Sequence, residues 1–342
     1  MASSRINEYF PYLDLLKFLC CIGIVCIHTE PFHYIPVCEE YFIKLQPVFV
    51  SIFFIISSSL FWRKIQWKEG DALVLWHYIR RLLVLVLSWG IILSFHWVPK
   101  FIRHNPDDWM ILIFPKVVLH GFAQGSWFIL SLIYGILLCY LLNRYLNKHL
   151  VFFLVLSTNL YFSLVHYEGM NDFLNIYWGQ KGDGFLFESY CSVVRAIIWV
   201  EYGFYLVPIL TRIISVRKMI AVVILSAVSL AFLDTGYFLL MTAIAIFLSA
   251  LSMKKITPYI SERMFLLRKM SIIIFFSHFP IVTVFHVLYE NGFLPWEYGF
   301  IEFMITFAIS SFLAYNIIRL SEKYKIMKYL YYYLSIHHQL IH

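Results

Sequence analysis

Apolar residues run along the chain in long blocks, each closed by charged or turn-forming residues. The blocks cover 11–30, 46–62, 79–98, 125–142, 149–165, 189–211, 218–234, 236–252, 269–289 and 299–320. Each is close to the ~20 residues that a helix needs to cross a bilayer. The seventh and eighth are separated only by Asp234, Thr235 and Gly236. Ten-residue alternating segments, the mark of a membrane barrel, are absent from the sequence. The pattern predicts an all-α polytopic membrane protein of about ten transmembrane helices. The short connections leave no room for a soluble domain, so residues 1–342 are expected to form a single integral membrane domain.

Composition narrows the class further. Of 342 residues, 61% are hydrophobic and only 14% are charged, with a mean hydropathy of +0.75. Soluble domains are about 45–50% apolar and about 25% charged. A soluble enzyme, a disordered chain and a nucleic-acid-binding module are excluded by those figures. The six cysteines show neither metal-ligand spacing nor a disulfide pattern, and no metal is expected.

The net charge of +7 is informative through its distribution. With the N-terminus inside, the inner segments hold 20 of the 27 basic residues, including Arg63, Lys64, Arg80, Arg81 and Arg268. The outer segments hold five: Lys44, Lys100, Arg103, Lys116 and Lys181. That bias places both termini in the cytoplasm. The remaining two, Lys17 and Arg195, lie away from the ends of their spans.

Ionisable groups inside a span are costly unless they face protein or water, so they carry the chemical signal. The first span, LDLLKFLCCIGIVCIHTE, contains Asp14, Lys17 and His28. Lys17 and His28 are eleven steps apart along the helix, which puts them within about 20° of one face and ~16 Å apart along the axis. A polar stripe lining a cavity is the expectation, although Lys17 could also snorkel to the interface. The sixth span carries Arg195 and Glu201, which face about 120° apart and so do not pair along the helix. Arg195 needs an acid, a carbonyl or an anionic ligand. The ninth span places Ser271 and His278 on one face. His28 and His278 offer two metal ligands, but no third has suitable spacing. Trp127, at an expected interface, suits either an anchor or a sugar platform. Ser57, Ser58 and Ser59 suit close helix packing. Phosphate loops, H-E-x-x-H and G-x-S-x-G are all missing from the sequence.

In order and spacing, several segments resemble the acyltransferase-3 family of integral membrane acyltransferases. LDLLKFLCCIGIVCIHT matches a Leu-Asp, basic residue, ten-residue gap and His. SIFFIISSSLFWRKI is similar to the family's FF-x-x-SG-F-L segment, with Ser57 in the Ser position and Ser58 in place of Gly. HYIRRLLVLVL, GSWFILSLIYG and LRKMSIIIFFSHFPI resemble its third-helix, W-F-L and S-x-x-I-Y-L-x-H-x-P segments, the last carrying Ser271, His278 and Pro280. Together they extend over residues 10–285. The family's R-x-x-R pair is represented here only by adjacent Arg80 and Arg81 after His77. No acid follows Trp127-Phe128-Ile129, which is closer to the W-F-L branch of the family.

The resemblance implies transfer of an acyl group, usually acetyl, from cytoplasmic acyl-CoA to a hydroxyl of an envelope glycan or lipid-linked sugar. It makes His28 the matching catalytic histidine and Lys17, the basic residue of the same motif, the second catalytic candidate, to position or stabilise charge. Elementary chemistry agrees: a thioester is already activated and needs a base for the hydroxyl and a cation or donor for the oxyanion. Arg195, Trp127, His278 and Ser57 are the candidate substrate contacts. Arg63, Lys64, Arg80 and Arg81 are candidates for the CoA phosphates, or they simply enforce topology. Acetyl-CoA is expected as a donor substrate with no tightly bound cofactor, the partners being the acceptor sugar and membrane lipids, in a bacterial inner membrane. The rival class is a transporter or flippase, for which the sequence shows neither paired repeats nor matching broken helices.

Overall fold

In the computed structural model, the residues described are 10–65, 70–104, 110, 117, 125–164, 184–213, 220, 222–224, 228, 236–253, 257–295 and 299–330. Among them the secondary structure is helical, without strands. The helices are α1 (Pro11–Thr29), α2 (Pro36–Trp62), α3 (Asp71–Ile92), α4 (Ser94–His104), α5 (Ser126–Tyr145), α6 (Lys148–Leu164), α7 (Gly184–Ile213), α8 (Gly236–Ser252), α9 (Pro258–Glu290) and α10 (Phe300–Lys323), followed by a 3-10 turn at Lys325–Leu330. Seven of the described helices are long and apolar enough to cross a membrane: α1, α2, α3, α5, α7, α9 and α10. Most of the expected segment 218–234 lies outside the described residues.

Two helices begin well before their apolar blocks. α2 starts at Pro36 rather than near residue 46, and α9 starts at Pro258 rather than 269. In both, proline occupies the first helical position, where its missing N–H costs nothing and its fixed φ favours the start. The intervening turns carry Glu39, Glu40 and Lys44 in α2, and Arg263, Arg268 and Lys269 in α9. Backbone hydrogen bonding continues through polar sequence, whereas the apolar block marks only the part suited to lipid. The expected helix 79–98 is split instead. α3 ends at Ile92, the N–H of its cap Leu93 bonds back to the Trp89 carbonyl at 2.8 Å, and α4 follows.

The chain divides into two compact units, residues 1–53 with 213–342, and residues 54–212. In the first unit, α1 packs against α8, α9 and α10. A Cβ on Gly23 would lie 2.7 Å from the Phe49 ring, so glycine there lets α1 close on the first half of α2. Successive contacts of Asp14 with Arg268, Cys21 with Ser271 and His28 with His278 show that α1 and α9 run parallel.

In the second unit, α5 meets α7 where a Cβ on Gly135 would lie 3.1 Å from Ala196. α7 meets the end of α2 through Gly203. A Cβ there would overlap Ser58 Oγ and sit 3.0 Å from the Ile55 carbonyl, while Ser59 Oγ donates to the Gly203 carbonyl at 2.9 Å. The serine run thus serves close packing, aided by small residues on both helices. Large apolar side chains such as Ile91, Phe95, Phe153 and Phe312 face outward, as a hydrocarbon environment requires.

Candidate active site

The first unit gathers the polar residues of α1, α9 and α10. At one end of α1, Asp14 and Lys17 are nine-tenths or more buried, one helical turn apart. Asp14 lies 3.9 Å from Lys17 Nζ and 3.5 Å from Arg268 Nη1. The Arg268 guanidinium rests on the Phe265 ring, 4.4 Å from its centroid. Arg268 was expected among the topological charges of an inner connection; the longer α9 brings it inside instead. No pattern in the local sequence distinguishes it, because its partner lies 254 positions away.

At the other end of α1, the half-buried His28 ring sits 5.3 Å from the fully buried His278 ring, with Phe279 4.8 Å from His28 and 4.0 Å from His278. His278 Nδ1 lies 3.0 Å from the Ile274 carbonyl. A carbonyl only accepts, so this bond places a proton on Nδ1, and in the neutral tautomer the lone pair is then on Nε2. That buried Nε2 has no hydrogen-bond partner among the described residues. Pro280 follows two residues later inside the helix, which deprives the Phe276 carbonyl of its usual N–H donor. Ser271 Oγ donates to the Arg268 carbonyl at 2.8 Å and is not directed to the histidines.

α10 adds an acid that the sequence reading passed over. Glu302 is fully buried in its first turn, and Thr306 and Ser310 follow on the same face. The Gly299 N–H, three residues before Glu302, donates to the Thr29 carbonyl at 3.0 Å, next to His28. The signal was available: an acid inside the expected span 299–320 is costly in lipid.

The second unit holds the remaining candidates. Ser57 is hydrogen-bonded to the Tyr78 phenol, and Arg81 lies over the Tyr78 ring at 5.7 Å. Burial and the nearby Arg81 guanidinium pull the Lys64 ammonium below the usual lysine range. Ser57, Lys64 and Arg81 are therefore neighbours, whereas Arg63 and Arg80 project outward. Trp62, just before this basic turn, packs on Phe204 at 4.1 Å and stacks with Tyr140 at 6.3 Å. Trp127 is half-buried in the first turn of α5, edge-on to Phe128. Arg195 is exposed on α7, while Glu201 is fully buried and accepts from Asn143 Nδ2 at 2.8 Å. The expectation that these two do not pair along the helix agrees with that arrangement.

Apolar helices of membrane-crossing length, with ionisable groups turned inward, define a multi-pass integral membrane protein with a polar interior. The family model described as an acyltransferase domain matches residues 10–315. The chain belongs to the acyltransferase-3 family, and it is a membrane acyltransferase. No curated protein and no solved structure matches it.

Proposed function

We propose that the protein moves an acyl group, most simply acetyl, from cytoplasmic acyl-CoA to a hydroxyl of an envelope glycan or lipid-linked saccharide in a bacterial inner membrane. The observation that carries this reading is the His28–His278 ring pair at 5.3 Å, with a buried His278 Nε2 that has no hydrogen-bond partner among the described residues. His28 acts as general base. It takes the proton of the acceptor hydroxyl while that oxygen forms a bond to the thioester carbonyl carbon. The C–S bond then breaks, and the leaving thiolate takes the proton back from the His28 imidazolium. Acyl-CoA and alcohol become ester and CoA, with no net proton change.

His278 is a substrate contact, its lone-pair Nε2 able to accept from the incoming hydroxyl. Lys17 stands ~16 Å along α1 from His28 and so acts on a different part of the substrates. Lys64 and Arg81, with Arg63 and Arg80, supply cations of the kind that hold phosphates. Ser57, Trp127 and Arg195 are further substrate contacts, Trp127 as a platform for a sugar face.

The test is His28→Ala, with acyl transfer from labelled acetyl-CoA followed in membranes and acyl masses of envelope glycans measured in cells. Transfer is lost while the protein remains folded and inserted. Wild-type levels of glycan acylation in that variant would refute the reading.

A further inference from the structure

We propose that Lys17 and Arg268, held around Asp14, form a buried seat for the phosphate that ends the donor's pantetheine arm. This rests on the acyl-CoA reading above and assigns residues of α1 and α9 to one chemical group of that donor. Two cations surround one carboxylate, and among the described residues neither Lys17 nor Arg268 has another ion-pair partner. All three side chains are about nine-tenths buried or more. A buried cation without full compensation is costly, and the cost is relieved by an anion.

Hydrogen-bond counting points the same way. An ammonium offers three donors and a guanidinium five. Lys17 Nζ is 3.9 Å from Asp14, beyond hydrogen-bonding range, and Arg268 reaches Asp14 only at 3.5 Å. Among the described residues, the buried Arg268 Nε has no hydrogen-bond partner. Phe265 covers a face of the guanidinium and leaves its edges as the donors. Unused donors therefore exceed acceptors, and a phosphate, with several acceptor oxygens, matches both Arg and Lys.

Spacing selects which phosphate. α1 sets Lys17 eleven residues from His28, or ~16 Å, and α9 sets Arg268 ten residues from His278, or ~15 Å. From thioester sulfur to first phosphorus, a pantetheine arm has about thirteen bonds, equal to a little over four residues of extended chain, or ~15 Å. A thioester at the histidines thus brings that phosphate to Lys17 and Arg268.

The test uses the full chain in nanodiscs, with S-acetyl-phosphopantetheine and S-acetyl-pantetheine as probes, binding measured by calorimetry. Wild type favours the phosphorylated probe by about 10- to 100-fold, the size of one charge-assisted hydrogen bond. Arg268→Gln abolishes the preference; Arg268→Lys, which keeps the charge and loses the fork, retains part of it. His28→Ala keeps the preference while stopping transfer, so the seat and the catalytic reading fail separately. Wild-type turnover of acetyl-CoA with no preference between the probes overturns the seat. So does an unchanged preference in folded Arg268→Gln. A third arm adds a polyprenyl phosphate to the nanodiscs. Arg268-dependent binding of that lipid, without any preference between the soluble probes, also overturns the assignment to the donor.

Discussion

Replacing Asp14 by Asn removes the negative charge between two buried cations while preserving the side chain's shape. The separations of 3.5 Å to Arg268 and 3.9 Å to Lys17 correspond to gross attractions of ~4–5 kcal/mol each at an effective dielectric constant near 20. Desolvation of the carboxylate offsets much of that sum. Removing one member of a buried pair typically costs a net ~3–5 kcal/mol, because the partner stays buried and uncompensated. Asp14→Asn is therefore expected to destabilise the protein by about that much. Arg268→Gln removes one of the two cations, so the double variant recovers at least ~1 kcal/mol relative to the sum of the single costs. The assay is equilibrium unfolding in mixed micelles, followed by tryptophan fluorescence, for wild type, both single variants and the double. A loss below ~1 kcal/mol for Asp14→Asn, or costs that simply add, would show that the cluster is not electrostatically coupled.

Two further outcomes follow from the second unit. Gly203→Ala drives a Cβ onto Ser58 and toward the Ile55 carbonyl, an overpacking cost of ~1–3 kcal/mol. Adding Ser58→Gly, the residue found in the motif this segment resembles, removes the Ser58 part of the clash; thermal unfolding of the pair that shows no rescue would contradict the described α2–α7 contact. Lys64, held below the ordinary lysine range by burial and Arg81, has more neutral amine than a normal lysine at the same mildly alkaline pH. It should label faster than exposed lysines with an acylating reagent, scored by peptide mass spectrometry, and CoA should slow that labelling. Labelling indifferent to CoA argues against phosphate binding at this turn.

The helical class, and the shared face of Lys17 and His28, were legible because both depend on local periodicity. Helix limits were less so. Hydropathy reports which turns suit lipid, and α2 and α9 continue their hydrogen-bond ladders through Glu39–Lys44 and Arg263–Lys269. That difference hid Arg268: as an inner-segment arginine it looks like a topological charge, and only the parallel packing of α1 and α9 brings it to Asp14. Glu302 was readable as an acid inside its block, yet easy to discount. It stands at the rim of its apolar block, where an acid reads as a boundary, although the structure buries it completely. The Asn143–Glu201 bond joins two helices 58 residues apart, beyond what periodicity along one helix can indicate.

The parallel course of α1 and α9 has a metrological side. The two helices are clasped at one end by Asp14 and Arg268 and at the other by the tilted pair of histidine rings. Pro280 falls beyond His278, so no proline interrupts either helix between the clasps. Two stiff rods joined at both ends form a gauge whose length thermal motion changes little. A reactant reaching from one clasp to the other is measured against that gauge. Compounds with a shorter or longer arm than the gauge would engage one end at a time, and the fold itself would reject them before any chemistry began.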